Sequence, residues 1–188
     1  MIKPFVTITS VALAAAAVAG CAGQPTIENT YRSSYDPSLL SYAASKGGMK
    51  TEILGAPFPT GERTQLERAV TNRLEQAAPG PRMAFFTEAP ADYTSPYRVV
   101  LLFDPAPGQP LHDLCNRPDL KSQPGDGPVK VTAAFCSSDR AITRVAGSVG
   151  NVQSADDPAF QNLIGQIAHG LFPTNNIDQN NGAGDFEM

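Results

Sequence analysis

Two stretches of the chain carry apolar residues at helical spacing, and five others alternate or run apolar as strands do. In the first, Leu66, Ala69, Val70, Leu74 and Ala77 define one face of a helix. Thr60 stands where an N-cap is expected, Glu62 falls in the first turn, and Pro79-Gly80-Pro81 ends the run. Arg63 and Glu67 form a surface pair one turn apart. The second helical stretch closes the patterned region. Asp157 is its cap and Pro158 its first residue, and Phe160, Leu163, Ile164, Ile167, Ala168 and Leu171 line one face before Pro173 stops it.

Strands are expected over residues 50–55, 82–88, 97–104, 129–136 and 141–149. The run Val99-Val100-Leu101-Leu102-Phe103 is apolar on both faces, which suits a central strand covered on each side. Val129, Val131, Ala133 and Phe135 alternate as in a half-buried strand, and Ser137-Ser138-Asp139-Arg140 turns it into a hairpin. Two amphipathic helices need an apolar surface to cover, and a sheet supplies one. The expected fold is therefore α+β, a two-layer sandwich with a mostly antiparallel sheet of four to five strands and both helices on one face. A crossover through the first helix places strand 50–55 parallel to a neighbour.

The N-terminal segment follows a different logic. Lys3 carries positive charge, residues 5–19 are apolar apart from hydroxyl side chains, and Val18-Ala19-Gly20-Cys21 closes with small residues. A basic start, a short apolar run and a small-residue junction read as a secretory signal. The junction resembles the lipobox of bacterial lipoproteins, which implies that Cys21 is lipidated and becomes the first residue of the mature protein. Ala22 after the cysteine implies sorting to the outer membrane, with the domain on its periplasmic side. Membrane attachment is then through acyl chains on Cys21 alone, since two or more chains anchor stably.

This reading divides the chain into a signal peptide (1–20), a lipidated N-terminus and tether (21–48), one domain (49–173) and a disordered tail (174–188). The tether leaves about 27 residues between Cys21 and the first expected strand, with Leu39, Leu40 and Tyr42 packing as a short helical turn before Gly47-Gly48. The segments Gly55-Ala56-Pro57-Phe58 and Tyr97-Arg98-Val99-Val100-Leu101, with the Asp157-to-Pro173 helix, are similar to uncharacterised proteobacterial lipoproteins. The layout is also similar to small sheet-and-two-helix domains of outer-membrane assembly lipoproteins, a likeness of arrangement that brings no activity.

Cys115 and Cys136 remain once Cys21 is assigned to lipid. An even pair in an exported protein reads most simply as a disulfide, here closing a segment too rich in proline and glycine to build its own core. The net charge is −4, and Arg63, Arg68 and Arg73 are interleaved with Glu67 and Glu75, so no basic stripe for nucleic acid is present.

Chemistry is sparse in the pattern. Gly-x-Ser-x-Gly, a phosphate-binding glycine loop, His-Glu-x-x-His and a calcium loop are all missing from the sequence. His112 precedes Cys115 at a spacing that two metal ligands can use, with Cys136 as a third if reduced and Asp119 and Asp126 nearby. The same residues also read as a loop histidine beside a disulfide. His169 stands near the C-terminus of the last helix, where an imidazolium is favourable. Phe85, Phe86, Tyr93 and Tyr97 flank the turn Ala89-Pro90-Ala91-Asp92 and are candidates for docking another envelope protein by strand addition. The expected function is a lipid-anchored periplasmic binding or scaffolding domain, non-enzymatic and without a cofactor. The alternative is a small hydrolase or metal-binding protein using His112 with Cys115 or a nearby carboxylate.

Overall fold

The computed structural model describes residues 23–174 apart from 34, 59–61 and 118. Cys21, Thr60 and the tail beyond 174 lie outside the described residues, so the expectations placed on them stay where the sequence left them. The elements run β1 (Thr26–Arg32), α1 (Ser38–Ser45), β2 (Met49–Leu54), α2 (Arg63–Ala77), β3 (Phe85–Phe86), β4 (Tyr97–Phe103), a 3₁₀ turn (Leu111–Asp113), β5 (Val129–Ser137), β6 (Arg140–Val149) and α3 (Pro158–Leu171). The six strands form one sheet in the order β1-β6-β5-β4-β2-β3. β2 is parallel to β4 and β3, and the other pairs are antiparallel. The α+β class and the parallel crossover hold; the sheet has one strand more than the upper expectation.

That strand is β1, and it corrects the expected tether. Thr26 to Arg32 pair with β6 from Ser148 to Thr143, across a bulge between Ile27 and Asn29. The domain therefore begins within residues 21–48. The expected strand at 82–88 shrinks to Phe85–Phe86. Glu62 stands just before α2 without a side-chain capping bond, so the helix starts later than expected.

The helix layer is as the periodicity predicts. Leu66, Val70 and Leu74 of α2 and Phe160, Leu163, Ile164 and Leu171 of α3 are buried with Val99, Leu101, Phe103, Val131, Ala133 and Phe135 of the sheet. The Asp157 carboxylate accepts a hydrogen bond from the Ala159 amide at 2.8 Å, capping α3 as expected. Leu40 and Ala43 of α1 join the same core.

The opposite face of the sheet is covered by a loop. Val100 and Leu102 of β4 and Ala134 and Cys136 of β5 are buried beneath Leu114, Cys115 and Leu120. This is why β4 reads apolar on both sides. Cys115 and Cys136 are joined by a disulfide with their Cα atoms 5.7 Å apart, fastening the loop to the central sheet.

Candidate functional site

A cleft of about 650 Å³ lies where the β5–β6 hairpin tip, the end of β1 and the 3₁₀ turn meet. Its walls include Tyr31, His112, Asp113, Arg140, Ile142 and Arg144. The local sequence builds it through two irregularities. Cys136 pairs with Ala141 but Phe135 pairs with Thr143, so Ile142 is an extra residue that bends β6. Ser138 then takes a positive φ of 50° in the two-residue turn.

Charge on the wall is mixed. The Arg144 guanidinium lies 5.0 Å from the centre of the Tyr31 ring, and one of its N–H groups donates to the His112 carbonyl at 3.2 Å. His112 Nε2 is 3.3 Å from the Asp113 carboxylate, with the imidazole largely exposed. A cationic, an acidic and an aromatic group thus face one solvent-open space, an arrangement suited to holding a polar partner.

Arg98 holds the rim together. It projects from β4, its Nη1 donates to the Ser138 carbonyl at 2.7 Å, and its Nη2 donates to the Cys115 carbonyl. Its Nε lies 3.4 Å from a Glu52 carboxylate oxygen. One side chain therefore joins the hairpin tip, the disulfide loop and β2. The one signal for this role in the sequence is a lone arginine inside the most apolar run.

The other sequence candidates fall differently. The disulfide occupies both Cys115 and Cys136, so neither thiol can ligate metal beside His112 in this state, and the thiol-based part of that reading is corrected. Among the described residues no cluster of three or more His, Cys, Asp or Glu side chains is placed to hold a metal ion. Asp119 makes a two-pronged ion pair with Arg117, and that hydrogen bonding holds its carboxyl below the ordinary range. His169 is exposed in the last turn of α3.

The expected aromatic docking patch is corrected at Phe85. Phe85 is buried in the core and packs on Phe172, while Tyr97 packs on Phe135 and Tyr42. Phe86 and Tyr93 are half-buried edge-to-face at 5.0 Å. The Tyr93 hydroxyl accepts from the Lys50 amide at 3.3 Å and lies 3.2 Å from the carbonyls of Gly48 and Tyr97. Phe86, Tyr93 and Tyr97 thus hold the 87–96 loop to the sheet while staying half-exposed beside the edge strand β3. The large exposed apolar side chains among the described residues are Tyr31 and Tyr42.

No protein-family model matches the chain, and no curated protein matches it. Among solved structures it is similar to a PelC dodecamer from Paraburkholderia phytofirmans, at 12% identity and a TM-score of 0.43, over 79% of this chain and 97% of that one. A point variant of that dodecamer in another crystal form gives 12% identity and a TM-score of 0.41, over 79% and 98%. A likeness of this degree carries no functional argument.

Proposed function

We propose that the chain is a lipid-anchored, non-enzymatic binding or scaffolding domain of the bacterial envelope, held at the periplasmic face of the outer membrane by acyl chains on Cys21. The observation that carries this reading is the Cys115–Cys136 disulfide, whose two residues are 3% and 0% exposed. Disulfides of this structural kind persist in oxidising compartments and are rare in the reducing cytosol. The export segment in residues 1–20 points to the same compartment from independent residues.

The hairpin-tip cleft is the surface through which such a domain would hold its envelope partner, with Tyr31 and Arg144 as the contact residues. Intact-mass measurement of protein extracted from envelopes is expected to give a chain beginning at Cys21 with acyl chains attached. Cys21→Ala is expected to abolish both the acylation and the membrane fractionation. Unmodified Cys21, or cleavage elsewhere, would remove the anchor from this reading. Crosslinking in intact envelopes is expected to recover one specific partner, lost in Tyr31→Ala; recovery unaffected by Tyr31→Ala and Arg144→Ala would exclude the cleft as its site.

A further inference from the structure

The early start of the sheet changes how the domain stands on its anchor. β1 begins at Thr26, only five residues after Cys21. Gly23 already lies against α3, where a Cβ on it would be 3.6 Å from the Ala159 side chain. Two trans peptide steps of 3.8 Å separate Cys21 from Gly23, so their Cα atoms are at most about 7.6 Å apart. No long leash intervenes between the anchor residue and the packed fold.

The end of the sheet beside that anchor has a definite composition. Thr26 pairs with Ser148 there, and the chain continues from β6 through residues 150–157 into α3. Gln153 is exposed in that loop. The two carboxylates of the loop are both engaged within the protein: Asp157 accepts from the Ala159 amide, and Asp156 accepts from the Gln65 side chain. Both keep their negative charge, as does Glu28, which accepts from the Ser148 hydroxyl at 2.7 Å, so the surface is polar and acidic and suits zwitterionic headgroups such as phosphatidylcholine, not anionic lipid. At the other end of β6, ten residues away, stand the hairpin tip and the cleft. At about 3.3 Å per residue that separation is about 30 Å.

We infer that the sheet end carrying Gly23, Thr26, Ser148 and the 150–157 loop seats on the lipid headgroup surface, with the hairpin-tip cleft held on the side away from it. This rests on the acylation of Cys21 proposed above. The partner of the seated surface is the phospholipid bilayer itself, and a binding partner reaches the cleft from the aqueous side.

The chain contains no tryptophan, so a single introduced indole is a unique reporter. Gln153→Trp and Asp139→Trp, both at exposed positions, are prepared as acylated protein in phosphatidylcholine vesicles carrying a headgroup-linked spin-label quencher. Emission from Gln153→Trp is expected to fall at least twofold relative to quencher-free vesicles, and that from Asp139→Trp to stay unchanged. Hydrogen exchange of the unsubstituted acylated chain should slow across 148–157 on vesicle binding and not across 137–141. Equal quenching at both positions, quenching at neither, or slowing confined to 137–141 in acylated protein would overturn the seating and leave the anchor intact. Mass spectrometry of the same samples separates the two ideas, because absence of acyl chains on Cys21 sinks both.

Discussion

Replacing Cys115 and Cys136 together by alanine tests what fastens the second face of the sheet. The two cysteines are 21 residues apart in sequence. Cross-linking a loop of that size removes unfolded-chain entropy equivalent to about 3.3 kcal/mol at room temperature. Both residues are buried, so the substitution also loses sulfur packing against Val100, Leu102 and Ala134, and the loss does not fall below the entropic figure. Urea denaturation followed by far-UV circular dichroism is the assay, since the chain offers no tryptophan signal. The stability in water is expected to fall by about 3 kcal/mol, and the urea dependence to steepen because the unfolded chain is no longer cross-linked. Amides of residues 114–120 should lose protection before those of β4 and β5. A loss below about 1 kcal/mol with an unchanged urea dependence would refute the reasoning, and would mean that Leu114 and Leu120 hold the loop without the staple.

Gly48 has φ +135°, and a Cβ there would stand 2.3 Å from the Ala84 carbonyl oxygen, which is itself fixed by the Met49 amide at 2.8 Å. Gly48→Ala is expected to cost about 3 kcal/mol or more, while Gly47→Ala, with φ +88° and open space around it, should cost about 1–2 kcal/mol; thermal melts of the pair check this. Arg98→Lys keeps the charge but cannot reach the Cys115 and Ser138 carbonyls together, and should lower stability by about 1–2 kcal/mol in chemical denaturation. Asp104 is half-buried at φ 43°, accepts from the Lys130 amide at 2.8 Å, and has its carboxyl pushed up from 3.8 by desolvation. Its native state binds the proton more tightly than the unfolded state, so its contribution to stability declines as pH rises from 3.8 through the raised native value. Asp104→Asn keeps the acceptor and tolerates the backbone, so its stability relative to the parent should rise across that window and level off above it, measured by denaturation from pH 3 to pH 7.

The elements legible in the sequence are those whose burial is one-sided and regular. α2 and α3 show their faces through Leu66, Val70 and Leu74 and through Phe160, Leu163, Ile164 and Ile167, and all seven side chains are buried. The strand β4 announced burial on both faces, but not that a loop supplied one of the covers. β1 was hidden for a physical reason. An edge strand makes its pairing through backbone hydrogen bonds, and Thr26, Glu28, Thr30, Tyr31 and Arg32 are all exposed, so no alternation reports the face. The bulge between Ile27 and Asn29 breaks what period remains. The cleft was equally unreadable, because His112, Tyr31 and Arg144 come together only through the β1–β6 register and the loop fastened by Cys115. The cysteine pairing needed no such information: once Cys21 is set aside as the expected lipid site, Cys115 and Cys136 admit a single partnership.

The β1–β6 register also sets how far apart in the chain two neighbouring strands lie. Thr26 meets Ser148 and Arg32 meets Thr143, so the first strand to be synthesised has no partner until nearly the whole domain has followed it. Strands β5 and β6 are joined by a two-residue turn and can pair as soon as they exist, whereas closing β1 onto β6 bears the entropy of a loop longer than 100 residues. The hydroxyl and charged side chains of Thr26, Glu28, Thr30 and Arg32 suit a segment that must wait in water. The polar character that conceals this strand in the sequence also suits it to the late docking that loop-closure entropy favours.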